Sequence, residues 1–161
     1  MTSFSQICPG KFVIDASVLV GLVQGLPEAR RFTPVLMRAT TSAVTLGETF
    51  YISFRRSPRA TPALIESALL ALGVAIESVT ISVARHFNEL KRIDALRVAE
   101  QQDGGVPHTD CKKLSLGDMV CLGQAICLGL PVLTGDRHWE TLIPHGLSIP
   151  VMNFRDPALV V

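Results

Sequence analysis

The chain has 161 residues, of which 48% are apolar and 18% are charged, and its formal net charge at pH 7 is +1. These values suit one globular domain with a sizeable core and exclude an intrinsically disordered chain. The net charge leaves nucleic acid open as a partner, because a basic patch can form within a balanced total. The N-terminus shows no signal-peptide pattern, and the longest apolar run, at 68–76, is far below the roughly 20 residues that span a bilayer. We therefore expect a cytoplasmic protein with no membrane segment.

Strands and helices are predicted to alternate along the chain. Short apolar runs predict five strands, at 12–14, 40–44, 74–79, 131–134 and 149–153. Helical periodicity and helix-start residues predict helices at 17–25, 27–37, 45–56, 61–73, 81–102, 115–129 and 137–142. Within the long helix at 81–102 the apolar side chains recur at spacings of three and four, and we expect them to face the core: Val83, Phe87, Leu90, Ile93 and Leu96. The alternation favours an α/β fold with a parallel sheet covered on both faces.

Three carboxylates stand alone in long uncharged stretches. Each is the only charged residue of its stretch: Asp15 in 12–27, Glu48 in 39–54 and Asp118 in 114–135. At the chain's own charge fraction, the last stretch would carry about four charges. A carboxylate in apolar surroundings is costly unless it is hydrogen-bonded, paired or bound to a metal. A fourth acid, Asp136, follows the predicted strand at 131–134.

Two interpretations of these acids are open. As helix caps, residues 45–48 and 115–118 match the [ST]-x-x-[DE] capping-box pattern, and Asp15 and Asp136 each precede a predicted helix. As a shared site, the acids lie at one edge of the sheet, because Asp15 and Asp136 follow strands and the other two begin helices from the same edge. Ligands bind at that edge in open parallel sheets. Four carboxylates there repel one another unless cations hold them, and hard oxygen ligands favour Mg²⁺ or Mn²⁺.

Four segments resemble, in order, the motifs of PIN-domain nucleases, and within that family the VapC-type toxins of type II toxin–antitoxin systems. They are Val-Ile-Asp-Ala-Ser at 13–17, Ser-Ala-Val-Thr-Leu-Gly-Glu at 42–48, Leu-Ser-Leu-Gly-Asp at 114–118 and Thr-Gly-Asp-Arg-His-Trp at 134–139. The resemblance implies a three-layer α/β/α domain with a parallel five-stranded sheet of order 3-2-1-4-5. We interpret residues 1–156 as this single domain and 157–161 as a short C-terminal tail. The resemblance also implies a homodimer, an RNA substrate and inhibition by a cognate antitoxin protein.

Roles for single residues follow from the same resemblance. Asp15, Asp118 and Asp136 are expected to hold the metal, with Glu48 as a further ligand or as the group that positions water. One ion would activate water, and a second would stabilise the leaving oxygen. Ser17 and Thr134 each lie two residues from an acid and are interpreted as orienting it. The alternative is that Ser17 only caps its helix and Thr134 only fills a strand position.

Cationic residues near the motifs are candidates for RNA phosphate binding. Arg137 and His138 follow Asp136 directly and are the first choice. Lys112 and Lys113 precede the third motif, whereas Arg56 and its neighbour Arg55 end the helix that carries Glu48 and are expected to lie too far away.

Three functions compete at this point. The first is a metal-dependent endoribonuclease that acts as a toxin. The second is a catalytically inactive PIN-like module that binds RNA or protein, and the presence of all four acids counts against it. The third is a phosphatase of the haloacid dehalogenase type, which requires a second Asp two residues after the first. Ser17 occupies that position.

Overall fold

A central sheet of five parallel strands organises the fold. The computed structural model describes residues 2–4, 8–107 and 111–161. Its sheet strands are β1 (Phe12–Ile14), β2 (Ala39–Ser42), β3 (Ala75–Glu77), β4 (Val132–Thr134) and β5 (Val151–Asn153). They lie in the order β3-β2-β1-β4-β5, and every neighbouring pair is parallel. The expected order 3-2-1-4-5 is confirmed.

Helices connect the strands and cover both faces of the sheet. They are α1 (Ala16–Val23), α2 (Pro27–Arg30), α3 (Ala43–Arg56), α4 (Pro62–Ala71), α5 (Ile81–Ala84), α6 (Phe87–Asp103) and α7 (Leu116–Leu128), with 3₁₀ segments at Thr33–Arg38 and Arg137–His145. The single helix predicted at 27–37 was wrong, because α2 ends at Arg30 and a separate 3₁₀ segment begins at Thr33. Pro34 has no N–H with which to continue α2. The helix predicted at 81–102 is likewise two helices, since the chain turns at Arg85 and His86.

The core consists of two layers, one on each side of the sheet. Phe12 and Ile14 of β1 belong to one apolar cluster, and Val13 between them belongs to the other. Successive side chains of a strand point to opposite faces, so a strand with all three side chains buried must be covered on both sides. This confirms the three-layer α/β/α arrangement.

Helix α6 faces the core with a different set of residues from the one predicted. Leu90 and Ile93 are buried as expected, but Leu96 is 46% exposed. The buried face continues through Asp94 and Arg97 instead. Their spacing from Leu90 matches the helical period of 3.6 residues, whereas Leu96 lies about 120° from Leu90 around the helix, outside the buried face.

The end of the chain contributes to the fold. Leu159 and Val160, in the segment interpreted as a tail, form a short strand that pairs in parallel with Thr2 and Ser3. Leu159 is also buried in the core beneath one face of the sheet. None of the helices in the described ranges combines the length and apolar character needed to cross a membrane.

Candidate active site

The four predicted acids line one pocket at the carboxyl edge of the sheet. Asp15 follows β1, Asp136 follows β4, and Glu48 and Asp118 lie in the N-terminal halves of α3 and α7. Strands β1 and β4 are neighbours, and the chain order of the sheet reverses between them. This crevice is where open α/β sheets bind ligands.

Asp15 is held by three donors on one carboxylate oxygen. Its Oδ2 accepts from the Ser17 N–H at 3.3 Å, from Ser17 Oγ at 2.6 Å and from Thr134 Oγ1 at 3.0 Å. The residue caps α1, so the capping interpretation and the site interpretation are both compatible with its geometry. With Oδ2 saturated, Oδ1 is the oxygen that remains for a ligand.

The hydroxyls of Ser17 and Thr134, which donate to Asp15, also hold the turn that carries Asp136. The Gly135 N–H donates to Ser17 Oγ at 2.8 Å, and the Asp136 N–H donates to Thr134 Oγ1 at 3.1 Å. The hydroxyls of Ser17 and Thr134 thus link the chain after β1 to the chain after β4 by hydrogen bonds. A side chain at Gly135 would meet the ring of Phe154 at 2.4 Å, so this tight passage requires glycine.

Asp118 is held by the capping box predicted for residues 115–118, which is confirmed. The Asp118 N–H donates to Ser115 Oγ at 3.1 Å, and the Ser115 N–H donates to Asp118 Oδ2 at 2.8 Å. The carboxylate is therefore fixed by its own helix start, and Asp118 lines the pocket.

The capping box predicted for residues 45–48 was wrong. Strand β2 ends at Ser42, whose Oγ accepts from the Thr45 N–H at 2.9 Å and caps α3 three residues earlier than predicted. Glu48 consequently lies in the second turn of α3, beyond the capping positions. Its carboxylate approaches helix α7 at Gly117, where a Cβ atom would lie 2.6 Å from Glu48 Oε2.

Asp136 contacts the side chains of Lys112 and His138 rather than capping the 3₁₀ segment that follows it. Its Oδ1 lies 2.6 Å from His138 Nδ1, and its Oδ2 forms an ion pair with Lys112 Nζ. His138 is largely buried, and the structure places it against Asp136. Arg137 is exposed and does not line the acid pocket, but it lines a neighbouring surface cavity that shares Arg155 with that pocket.

A different set of cations surrounds the acids. Lys112, Lys113, Arg56 and Arg155 all line the acid pocket. The expectation that Arg56 lies too far away was wrong. Arg155 was missed, although it follows β5 by two residues and therefore lies at the same edge as the acids. Position after a strand was the signal that could have identified it.

The electrostatics of the pocket reflect concentrated negative charge. Burial raises the pKa of Asp15 even though Ser17 and Thr134 donate to it, and the nearby charge of Asp118 adds to the effect. Desolvation and repulsion from Asp15 and Asp118 raise the pKa of Glu48. Burial by itself would raise the pKa of Asp136, but hydrogen bonds with Lys112 and His138 hold that pKa below its usual value. A cation in the pocket would relieve the repulsion among these acids.

The donor chemistry of the pocket fits a hard divalent cation, because all four acids offer carboxylate oxygens. In the ranges that the structure describes, however, no three His, Cys, Asp or Glu side chains are already arranged to hold a metal ion. Asp136 is bound by Lys112, and one oxygen of Asp118 is bound by its cap. Binding of a cation by several of these acids therefore requires their side chains to reorient.

The fold and site together define a class of α/β/α domains with a carboxylate pocket at the reversal point of a parallel sheet. The family model for the PIN domain matches residues 12–142, a range that contains all four acids. The chain belongs to the PIN-domain family. A comparison with curated proteins found no match.

Solved structures share this fold. The DNA-bound VapBC of Salmonella typhimurium is 21% identical with a TM-score of 0.62, over 90% of this chain and 98% of that one. VapBC2 of Rickettsia felis, bound to a DNA fragment from its promoter, is 14% identical with a TM-score of 0.60, over 88% and 97%. Mycobacterium tuberculosis VapC20, a sarcin–ricin loop cleaving toxin, is 20% identical with a TM-score of 0.54, over 81% and 93%.

Proposed function

We propose that this protein is a Mg²⁺- or Mn²⁺-dependent endoribonuclease and the toxin of a toxin–antitoxin pair. One observation carries the proposal: four carboxylates from separate elements converge on a single pocket in a PIN-family fold. The similarity in fold to VapBC complexes supports a cognate antitoxin as the partner. A homodimer is part of the same proposal.

The acids divide into two roles in this mechanism. Asp15, Asp118 and Asp136 would hold the cation, which when bound would lower the pKa of water and stabilise charge on the reacting phosphate. Ser17 and Thr134 keep Asp15 oriented through their bonds to Oδ2. Glu48 lines the same pocket and would serve as a further ligand of the cation or position the attacking water.

Sequencing of RNA ends tests the proposal. Total RNA is incubated with wild-type protein, Asp118→Asn or Asp103→Asn, with Mg²⁺ or Mn²⁺ and with EDTA. Asp103 is an exposed acid at the end of α6, away from the pocket, and serves as the matched control. We expect new 5′-phosphate ends with wild-type and Asp103→Asn protein in the presence of metal, and none with Asp118→Asn.

The competing function is an inactive PIN-like module that binds RNA or protein. It would be favoured if all three proteins bound RNA equally and none cut it. A calorimetric titration in which wild-type protein bound neither Mg²⁺ nor Mn²⁺ would point the same way.

Gly117→Ala is expected to lower Mg²⁺ affinity by about 10- to 100-fold, which is the range seen when groups that orient metal ligands are changed. The change should not destabilise the fold. The new Cβ would displace the Glu48 carboxylate, whose Oε2 lies 2.6 Å from that position. The displaced atoms end a flexible, exposed side chain, and alanine is the better helix former, so the melting temperature should stay equal or rise.

Gly47→Ala is the control for this change. Gly47 lies on helix α3, one residue before Glu48, and no atom lies within 4 Å of its added Cβ. Calorimetry measures Mg²⁺ affinity, and thermal unfolding measures stability. Equal Mg²⁺ affinity in the two variants would contradict the role given to the position of Glu48.

A further inference from the structure

An ion pair between Asp94 and Arg97 is almost completely buried in helix α6. Asp94 is 3% exposed and Arg97 is 1% exposed, and Arg97 Nη2 lies 2.7 Å from Asp94 Oδ1. Charged side chains are seldom buried in this way, because lost hydration often outweighs the attraction within the pair. Neither residue lines the acid pocket. The pair therefore has a role other than direct contact with the substrate.

The buried pair binds the main chain just before helix α7. Arg97 Nη2 donates to the carbonyl oxygen of Lys112, and the Leu114 N–H donates to Asp94 Oδ2 at 2.9 Å. From the same helix, Lys91 Nζ donates to the carbonyl oxygen of Leu114 at 2.8 Å. This stretch of chain forms neither helix nor strand. Side chains of α6 thus satisfy main-chain groups that secondary structure would otherwise pair.

This anchoring places Lys112 at the acid pocket. Its ammonium group forms an ion pair with Asp136, while 57% of the side chain remains exposed. RNA is a polyanion, and four carboxylates repel it. A lysine beside them can hold a phosphate as a point charge, since lysine is a common phosphate-binding residue.

We propose that Lys112 binds a phosphate of the RNA substrate and that Asp94 and Arg97 are positioning residues for Lys112. The proposal rests on the proposed function, because it takes RNA as the ligand. Lys112 contacts the RNA directly. Asp94 and Arg97 are buried away from solvent and act only through the main chain of Lys112 and Leu114.

The salt dependence of RNA binding tests the contact made by Lys112. All variants are made in the Asp118→Asn background, which is expected not to cut RNA, and are measured in Mg²⁺ buffer. The probe is a fluorescein-labelled single-stranded RNA oligonucleotide containing all four bases. Loss of one phosphate contact lowers the slope of log Kd against log salt concentration by about 0.7 for single strands. We expect Lys112→Ala to show this loss.

Arg97→Lys tests positioning separately. This variant keeps a positive charge beside Asp94 but lacks the guanidinium fork that reaches both Asp94 and the Lys112 carbonyl. We expect the same loss of slope as in Lys112→Ala, and no further loss when the two changes are combined. Reduced stability alone lowers the folded fraction and leaves the slope of the folded protein unchanged. Arg92→Lys, at an exposed position of α6, is the control and should keep the full slope.

Two results would overturn the proposal. An unchanged slope in Lys112→Ala would contradict the phosphate contact of Lys112. An unchanged slope in folded Arg97→Lys would contradict the positioning role of Arg97. If Arg97→Lys does not fold, Asp94→Asn provides the same test, because it keeps one acceptor for the Leu114 N–H. Failure of the proposed function appears separately, as absence of RNA cleavage by wild-type protein with metal, since this binding assay requires no cleavage.

Discussion

Asp15→Asn is expected to lower the rate of RNA cleavage by more than about 100-fold. Changes to groups that only orient metal ligands already lower metal affinity or activity by about 10- to 100-fold, and Asp15 is proposed to be a ligand itself. The carboxylate of Asp15 is the most rigidly held of the four acids, with three donors on Oδ2. Asparagine keeps one acceptor oxygen for these donors but loses the negative charge that a cation requires. Single-turnover cleavage of labelled RNA measures the loss.

The same substitution is expected to stabilise the metal-free protein at neutral pH. Burial raises the pKa of Asp15 in the folded state. The stability contributed by the protonated acid is fully present below the unfolded pKa of about 3.9. It is lost as the pH rises from there through the raised folded pKa. Asparagine avoids that loss, so its advantage in melting temperature should grow from about pH 3.9 up to the folded pKa of Asp15, persist at higher pH and vanish in strong acid.

Mg²⁺ provides the complementary measurement. We expect Mg²⁺ to raise the melting temperature of wild-type protein more as the pH rises, because protons compete with the cation for Asp15 and Glu48. Asp15→Asn should show little of this effect, and Asp103→Asn should behave as wild type. Full cleavage activity in Asp15→Asn would contradict the carboxylate-site proposal. If metal-free Asp15→Asn protein were less stable than metal-free wild type at neutral pH, this would contradict the prediction that the buried charge of Asp15 destabilises the fold.

Arg97→Met is expected to destabilise the fold by about 3–5 kcal/mol, the cost of leaving one member of a buried ion pair unpaired. For a chain of this size, that loss lowers the melting temperature by roughly 6–20 °C. Arg97 is 1% exposed, and its removal leaves Asp94 Oδ1 and the Lys112 carbonyl without a donor. Thermal and denaturant unfolding measure the change.

Helix α6 provides a matched control in its second ion pair. Glu89 and Arg92 have the same i,i+3 spacing and a similar distance of 2.6 Å, but about half of each side chain is exposed. Arg92→Met should leave the melting temperature almost unchanged, because solvent screens exposed pairs. Equal destabilisation by Arg92→Met and Arg97→Met would contradict the importance of burial.

A double variant separates the charge from the main-chain contacts. Asp94→Leu combined with Arg97→Met removes both buried charges and should recover part of the lost stability. Recovery should be incomplete, because the Leu114 N–H and the Lys112 carbonyl lose their partners. Complete recovery would show that the chain before α7 does not depend on α6 for its conformation.

The sequence by itself determined the features that depend on neighbouring residues. The apolar strands, the strand–helix alternation and the capping box at 115–118 follow from short-range periodicity and hydrogen bonding. The isolation of Asp15, Glu48 and Asp118 in uncharged stretches marked them as unusual, since buried charge needs a reason. The order of the five strands, 3-2-1-4-5, came with the family motifs and not from periodicity.

Predictions from local sequence patterns were wrong where the sequence offers two alternatives, as at the start of α3 and on the buried face of α6. Ser42 and Thr45 both suit a helix start, and the tertiary structure selected Ser42 because β2 ends there with the serine buried. In α6, periodicity favoured Leu96 for the core, but Asp94 and Arg97 occupy the buried face. A charged pair can replace an apolar residue there only because a distant main-chain segment supplies its partners.

Only the tertiary structure decided which cations surround the acids. Arg137, adjacent to Asp136 in sequence, does not line the acid pocket, whereas Arg56 and Arg155 come to it from distant positions. Lys112 meets Asp136 across 24 residues of sequence. The physical reason is that sheet order and helix packing place side chains from remote segments together, and no local pattern encodes such a distance. The sequence alone thus identified the four carboxylates, and packing assembled the positive groups around them.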